Sequence, residues 1–527
     1  MNLGMKRVSA AEMRAIELNC EYLGVSSLQL MECAGRAVAG EIASRFKPSS
    51  RIIVYSGPGK NGGDGMVAAR HLASLGYEVS LVLVGREEDI SDEIVAANWH
   101  AVKEMQTSLR IQIVPDSSLV HVQDCDVTVD ALLGTGAKGA PRPPILQAIK
   151  AINESKSYKV AVDIPTGVDA DSGETHGEAV KADLTVTFHK EKLGLSKARK
   201  CVGELRVASV GIPSDAELLV GPGDVSLVAK KRPLESHKGD FGRLLVVGGS
   251  ETYTGAPAYV ALAALRTGVD LAYVATPEKS AGVVASFSPN LIVIKLRGNH
   301  LSQNNLEEIE PWLSRVTGVV LGPGLGTNSD TMSAVDCLLD KVEYLKLPLL
   351  LDADALKAFG QHRRRIETSA VLTPHFGEFE AVSGKKPSAE LEIRVKEVQA
   401  LAQEVDCTVL LKSNIDVISD GEQWKLNATG NPGMTVGGTG DVLSGVVGAL
   451  ISQGHDSFLA SCAGAFINGA AGDFVCAEKG HHMVATDLIE KIPMVMNDPM
   501  SHRGIRSTVR DQRKRIIDRV TASPMHF

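Results

Sequence analysis

Three stretches in the N-terminal half set glycine and oxygen-bearing side chains directly after apolar runs. The first, Gly57-Pro-Gly-Lys60-Asn61-Gly62-Gly63-Asp64-Gly65, follows Arg51-Ile-Ile-Val-Tyr55 and precedes a helical pattern over 66–75. Consecutive glycines let backbone amides turn toward one anion, and a helix start adds positive potential, so such a loop can hold a pyrophosphate. It is neither the GxGxxG of a dinucleotide fold nor a Walker A loop. The other two, Thr128-Val-Asp130-Ala-Leu-Leu-Gly134-Thr-Gly136 and Val160-Ala-Val-Asp163-Ile-Pro-Thr166-Gly167, each place an Asp at a strand end before a glycine turn. One Asp–Gly pair alone is usually only a turn. Three polar loops at three strand ends can share a crevice, because ligands of open α/β sheets bind beyond the carboxyl ends of the strands. Asn61, Asp130 and Thr166 offer hard oxygen ligands with a single carboxylate, a set that suits an alkali cation.

The C-terminal half carries a different loop, Asn431-Pro-Gly-Met-Thr-Val-Gly437-Gly438-Thr439-Gly440-Asp441, which opens an apolar helix over 441–450. Its free amides can form an anion hole for a transferring phosphoryl group. Asp441 can take a proton from a substrate hydroxyl as that oxygen attacks phosphorus. As a mere helix-start charge it would contribute about 0.3–1 kcal/mol, which leaves the clustered glycines unexplained.

The elements that must position these loops alternate strand and helix. Strands are expected over 51–55, 79–84, 111–114, 125–133, 159–164 and 184–188, then over 243–247, 271–275, 291–296, 317–321, 348–352, 370–373 and 408–411. Helices are expected over 258–267 and within 439–496, and Ser9-Ala-Ala-Glu12 fits a helix-opening capping box. Apolar strands alternating with helices imply α/β folds with parallel sheets covered on both faces. The pattern breaks over 211–233, at Gly211-Ile-Pro, Gly221-Pro-Gly and Arg232-Pro. The expected organisation is therefore 1–212, 233–500 and a basic tail over 501–527, with two unlike α/β domains and no short repeat.

Composition narrows the function classes. Among 527 residues, 55 Lys and Arg face 63 Asp and Glu, a net charge of −8 that argues against general nucleic-acid binding. The eight cysteines form no CxxC, which argues against a disulfide framework or a zinc site. The start, Met1-Asn-Leu-Gly-Met-Lys-Arg, lacks the apolar core of a signal peptide. No apolar run approaches the roughly 18 residues needed to cross a bilayer. A cytoplasmic enzyme without nucleic-acid or membrane partners is expected.

The loops Asn61-Gly-Gly-Asp-Gly, Asp130-Ala-Leu-Leu-Gly-Thr-Gly-Ala-Lys-Gly and Asp163-Ile-Pro-Thr-Gly together resemble the NAD(P)H-hydrate epimerase domain. That resemblance covers nearly all of 1–212 and implies a Rossmann-like three-layer fold. It implies a hydrated nicotinamide dinucleotide held by Lys60, Asn61, Gly62, Gly63 and Asp64, by Gly134, Thr135, Gly136, Ala137, Lys138, Gly139 and Ala140, and by Asp163. It further implies K+ on Asn61, Asp130 and Thr166, and acid–base work by Asp163. Lys60 departs from the family, which often has a second Asn there.

The Gly-Gly-Thr-Gly-Asp loop is similar to that of the ribokinase-like superfamily, itself of three layers. His237-Lys-Gly-Asp-Phe-Gly, Tyr253-Thr-Gly-Ala256-Pro, Leu321-Gly-Pro-Gly324-Leu-Gly326, Asp352-Ala-Asp-Ala and Thr373-Pro-His375-Phe-Gly-Glu378 resemble its NAD(P)H-hydrate dehydratase branch over 233–497. The resemblance implies hydrate contacts from Ala256, Gly324, His375 and Asp441. It implies nucleotide contacts from Lys412, Ser413, Asn414, Ile415, Asp416 and Gly440, although Ser413 and Asn414 depart from the family's usual Lys-Gly-Ala. ADP, or else ATP, would donate the phosphoryl group, with Mg2+ beside it, and NADHX and NADPHX would be the substrates of a homo-oligomer. The chain as a whole resembles the bifunctional NAD(P)H-hydrate repair enzymes. A small-molecule kinase on the same fold is the enzymatic rival, and a first half reduced to a binding module is the non-enzymatic one.

Overall fold

The structure is a computed structural model, described over residues 7–230 and 232–505. The chain divides into two compact units between Ser214 and Asp215.

The first unit holds β1 (Arg7–Val8), β2 (Arg51–Ser56), β3 (Glu78–Val84), β4 (Leu109–Val114), β5 (Val127–Ala131), β6 (Tyr158–Val162), β7 (Leu184–Phe188), β8 (Glu191–Lys192) and β9 (Glu204–Ala208). Seven of these form a parallel sheet in the order β4-β3-β2-β5-β6-β7-β9, while β1 and β8 pair separately. Alternate residues of β2 serve two cores: Ile52 and Val54 face one, Ile53 and Tyr55 the other. A strand buried on both faces reads as a continuous apolar run, which is why β2 is plain in the sequence. The capping box forms as expected, with Glu12 N donating to Ser9 Oγ at 3.1 Å and Ser9 N to Glu12 Oε2 at 2.7 Å.

The second unit holds β10 (Arg243–Val247), β11 (Leu271–Pro277), β12 (Ile292–Leu296), β13 (Gly318–Leu321), β14 (Leu349–Leu351), β15 (Ala370–Leu372), β16 (Thr408–Leu411), β17 (Asp416–Ser419) and β18 (Trp424–Asn427). Their order is β12-β11-β10-β13-β14-β15-β16-β17-β18, parallel as far as β16 and antiparallel beyond it. Leu245, Val247, Val319 and Leu321 pack into one core. The helix Thr439–Ser452 lies on the opposite face, so close that a Cβ on Gly448 would sit 2.4 Å from Val320. Both halves thus have the three-layer α/β arrangement expected of them.

Several expectations need correction. β9 and the β17–β18 hairpin are strands that the apolar pattern did not suggest. The second unit begins at Asp215 rather than 233. Val220 N donates to Leu426 O at 2.9 Å, and Lys425 Nζ donates to Asp224 Oδ1 at 2.6 Å, so this segment is built into the second sheet's edge. The helix Ser457–Lys479 is long and apolar enough to span a membrane, with mean hydropathy 1.3, yet 94% of that window is buried inside the unit. Asn468 and Asp473 interrupt its apolar run, which hides it from a search for unbroken apolar residues. Residues 506–527 of the expected basic tail lie outside the described residues. His502, at its start, is fully buried, with Nε2 3.0 Å from Asp473 Oδ2.

Candidate functional site

In the first sheet the chain winds one way from β2 to β4 and the other way from β5 onward, so the crossover crevice opens at the carboxyl ends of β2 and β5. The three predicted loops converge there. The helix Lys60–Ser74 starts at the end of the first loop, with Asn61, Gly62 and Gly63 buried. A Cβ on Gly62 would lie 1.8 Å from Gly57 O, and one on Gly57 2.1 Å from Leu132 O, so only glycine fits either place. Asn61 Nδ2 donates to Leu133 O at 3.1 Å. Thr166 Oγ1 lies 3.3 Å from the same carbonyl and donates to Asp130 Oδ1 at 2.7 Å, while Thr166 N donates to Asp130 Oδ2 at 2.8 Å. Asp130 is fully buried and pairs with no basic side chain among the described residues. Burial pushes its carboxyl up to about 6 against the pull of these hydrogen bonds.

Asp163 follows β6 with φ 62, a left-handed conformation that costs a non-glycine residue energy and clusters at functional sites. Its Oδ1 accepts from Thr187 Oγ1 at 3.0 Å, Phe188 N at 3.1 Å and Lys192 Nζ at 2.5 Å. Asp64 stands near: burial first, then Asp163 and Glu17, hold its carboxyl well above the usual range. Glu17, from the helix Ala10–Leu23, is raised by burial and then by Asp163. The Gly136–Ala140 stretch is exposed, and Lys60 is exposed with Nζ 3.9 Å from Asp92 Oδ2. A cleft beside them is lined by Leu133, Gly134, Ala137, Gly139, Gly167 and His176. Glu17 and Lys192 are members of this cluster that the sequence reading missed.

In the second unit, Gly438 adopts φ 94 and caps the helix Thr439–Ser452 without a side chain, so the first turn's amides are open. Asp441 lies in that turn. Among the described residues its carboxylate accepts no hydrogen bond, and burial, with the Asp352 carboxylate next, raises it to about 7 against the pull of Lys412. Asp352, just past β14, is buried, with Oδ1 accepting from Lys412 Nζ at 2.8 Å and Oδ2 from Ser444 Oγ at 2.7 Å. Lys412 Nζ is also 3.8 Å from Glu378 Oε2, and a Cβ on Gly440 would lie 3.5 Å from it. His375 caps the helix Phe376–Ser383: its Nδ1 accepts from Gly377 N at 3.0 Å and Glu378 N at 3.2 Å. That leaves the proton on Nε2, 3.3 Å from Glu378 Oε1.

Ala256 and Gly324 also meet, since a Cβ on Gly324 would lie 3.2 Å from Ala256 Cβ. Ser413, Asn414 and Ile415 lie in the turn between β16 and β17, and Asp416 opens β17. Asp416 there is spent on Ser413 N at 2.8 Å and Asn427 Nδ2 at 2.9 Å. Asp352 and Glu378 stood in the quoted sequence stretches without a role; here they are the acidic wall behind Asp441 and Lys412.

Fold and sites together make this a two-domain α/β enzyme. A family model described as NAD(P)H-hydrate dehydratase matches residues 244–494, and one described as YjeF-related protein N-terminus matches residues 27–194. The chain is similar to two proteins named bifunctional NAD(P)H-hydrate repair enzyme Nnr. That of Hyperthermus butylicus is 43% identical over 94% of this chain and 93% of the relative. That of Pyrobaculum aerophilum is 44% identical over 93% of this chain and 98% of the relative. A solved ADP/ATP-dependent NAD(P)H-hydrate dehydratase from Bacillus subtilis is 26% identical, covering 52% of this chain and 96% of its own, with a TM-score of 0.44. The chain belongs to the bifunctional NAD(P)H-hydrate repair enzyme family, with an epimerase domain followed by a dehydratase domain.

Proposed function

We propose that the first unit interconverts the R and S forms of NADHX and NADPHX, and that the second returns the S form to NAD(P)H by phosphorylating its C6 hydroxyl. The observation that carries the second step is Asp441 at an open helix start, raised to about 7. A base poised near the working pH is half ionised and still strong enough to accept the hydroxyl proton. Hydroxide is a poor leaving group and phosphate a good one, so phosphorylation, then loss of phosphate from C6 and of a proton from C5, restores the C5–C6 double bond of the nicotinamide ring. The amides of the Gly438 turn face the transferring group. Lys412, held by Asp352 and Glu378, adds positive charge there. Ala256, Gly324 and His375 face the hydrate, while Gly440 and the 412–416 stretch face the nucleotide.

In the first unit Asp163 moves the proton, and the glycine loops hold the dinucleotide. K+ fits Asn61, Asp130 and Thr166: the donors are all oxygen, and among the described residues no basic side chain pairs with the buried Asp130 carboxylate. Bound there, the ion supplies countercharge and binding energy for the substrate. Magnesium is expected to come with the nucleotide's phosphates, since this ion is usually bound through one or two carboxylates plus substrate phosphates rather than by an all-protein cage. We take ADP as the donor, the cytoplasm as the compartment and a homo-oligomer as the assembled state. The test is purified chain with NADHX and ADP, ATP or no nucleotide, followed by nicotinamide absorbance. ADP-dependent recovery is expected. Phosphorylated product without recovery would favour the kinase reading.

A further inference from the structure

Lys192 is a lysine where a lysine is costly. Its side chain is 1% exposed, and a buried ammonium is kept only when fully partnered. Its three protons are all in use: Nζ donates to Asp163 Oδ1 at 2.5 Å, Phe188 O at 3.0 Å and Thr187 Oγ1 at 3.1 Å. The ammonium therefore has no donor left for a substrate. Its backbone is pinned as well, because β8 pairs with β1 and Leu193 N donates to Val8 O at 3.0 Å.

The carboxylate it meets is used unevenly. Oδ1 of Asp163 takes three donors, from Thr187, Phe188 and Lys192, while Oδ2 accepts nothing from the described residues. The Asp163 side chain is 13% exposed, so one oxygen is locked inside and the carboxylate still reaches the crevice. Glu17 and Asp64 stand in the same field as Asp163, with Lys60 as a further cation. Without Lys192 three acidic side chains would share the crevice with only exposed basic groups.

We propose that Lys192 is the positioning residue of the epimerase site, locking Asp163 Oδ1 so that Oδ2 is the oxygen that works on the substrate. The inference rests on the reading of Asp163 as the acid–base residue. A group misplaced by about 1 Å can cost on the order of 10²-fold in rate, so the lock matters for turnover more than for binding.

The test uses full-length Lys192→Met and Thr187→Val chains, with R-to-S interconversion of NADHX as the readout and dehydration on the second unit as the measure of intact protein. Lys192→Met is expected to lower epimerase kcat on the order of 10²-fold while KM stays within about threefold. Thr187→Val, which removes one of the three donors, is expected to lower kcat about 3–10-fold and decides the matter should Lys192→Met not fold. In an Asp163→Asn background neither change should cost anything further, because both act through that carboxylate. Unchanged kcat in both single variants, a loss confined to KM, or a further loss on the Asp163→Asn background overturns the inference. An active Asp163→Asn chain instead refutes the reading of Asp163 beneath it.

Discussion

Replacing Asp441 by Asn keeps the side chain's shape and removes its capacity to take a proton. Loss of a general base costs on the order of 10²–10⁴ in rate, or about 3–5 kcal/mol of barrier. The effect on stability has the opposite sign. Asp441 is raised from 3.8 to about 7, so the folded chain holds this proton more tightly than the unfolded one. Ionising it opposes folding increasingly between about pH 4 and about pH 7, and fully above that. The shift of about 3 units sets an upper bound of about 4 kcal/mol, which partial exposure lowers to about 1–3 kcal/mol. Asp441→Asn should therefore be more stable than the native chain at about pH 8 and nearly equal to it at about pH 4, while almost inactive in dehydration. Denaturant unfolding of the second unit at both pH values, beside a nicotinamide-absorbance assay with ADP, reads both effects. Dehydration above about a tenth of the native rate, or equal stabilisation at both pH values, would refute the reasoning.

Three further outcomes are expected. Asp130→Ala should raise the epimerase KM and abolish its dependence on potassium over choline, while unfolding free energy falls by only about 0.5–2 kcal/mol; an unchanged potassium response would remove the ion from this site. A chain truncated after Ser214 should fold and epimerise NADHX, because that unit carries its own sheet and cores; a folded but inert product would mean that the site borrows residues from beyond Ser214. Gly62→Ala should unfold the first loop or abolish epimerisation, since its Cβ would fall 1.8 Å from a backbone oxygen, and dehydration on the same chain should persist.

Legibility followed burial. β2, β10 and β13 are covered on both faces, so apart from Arg51, Ser56 and Arg243 at their ends their residues form unbroken runs without charge that stand out from the sequence. β9 is half exposed, and its alternation Glu204-Leu-Arg-Val is only four residues long, too short to stand out beside the buried runs. β17 and β18 mix Asp416, Ser419, Lys425 and Asn427 with apolar residues because their polar side chains are consumed in hydrogen bonds, those of Asp416, Ser419 and Asn427 within the hairpin and that of Lys425 to the distant Asp224. β1 and β8 span two residues each, too few for any period to register. The glycine loops were legible because a missing side chain is itself visible. Lys192 and Glu17 were not, since lysine and glutamate read as surface residues unless a fold brings their partners to them. Asp163 stands out in its own loop, but the lock on one of its oxygens comes from β7 and β8, more than twenty residues further along.

The tie between Asp224 and Lys425 joins residues 201 positions apart. At a synthesis rate of about 5–20 residues per second, Asp224 leaves the ribosome roughly 10–40 s before its partner. The first unit is already complete at Ser214, so it can fold while the second is still a growing thread. The helix Pro222–Val228 meanwhile keeps Val225 and Val228, buried in the finished protein, in contact with water or a chaperone. Each newborn chain thus passes through an interval in which it can epimerise damaged cofactor but cannot yet reclaim it, and that interval outlasts the closing of the ion pair, because Asp441 and its helix are made after Lys425.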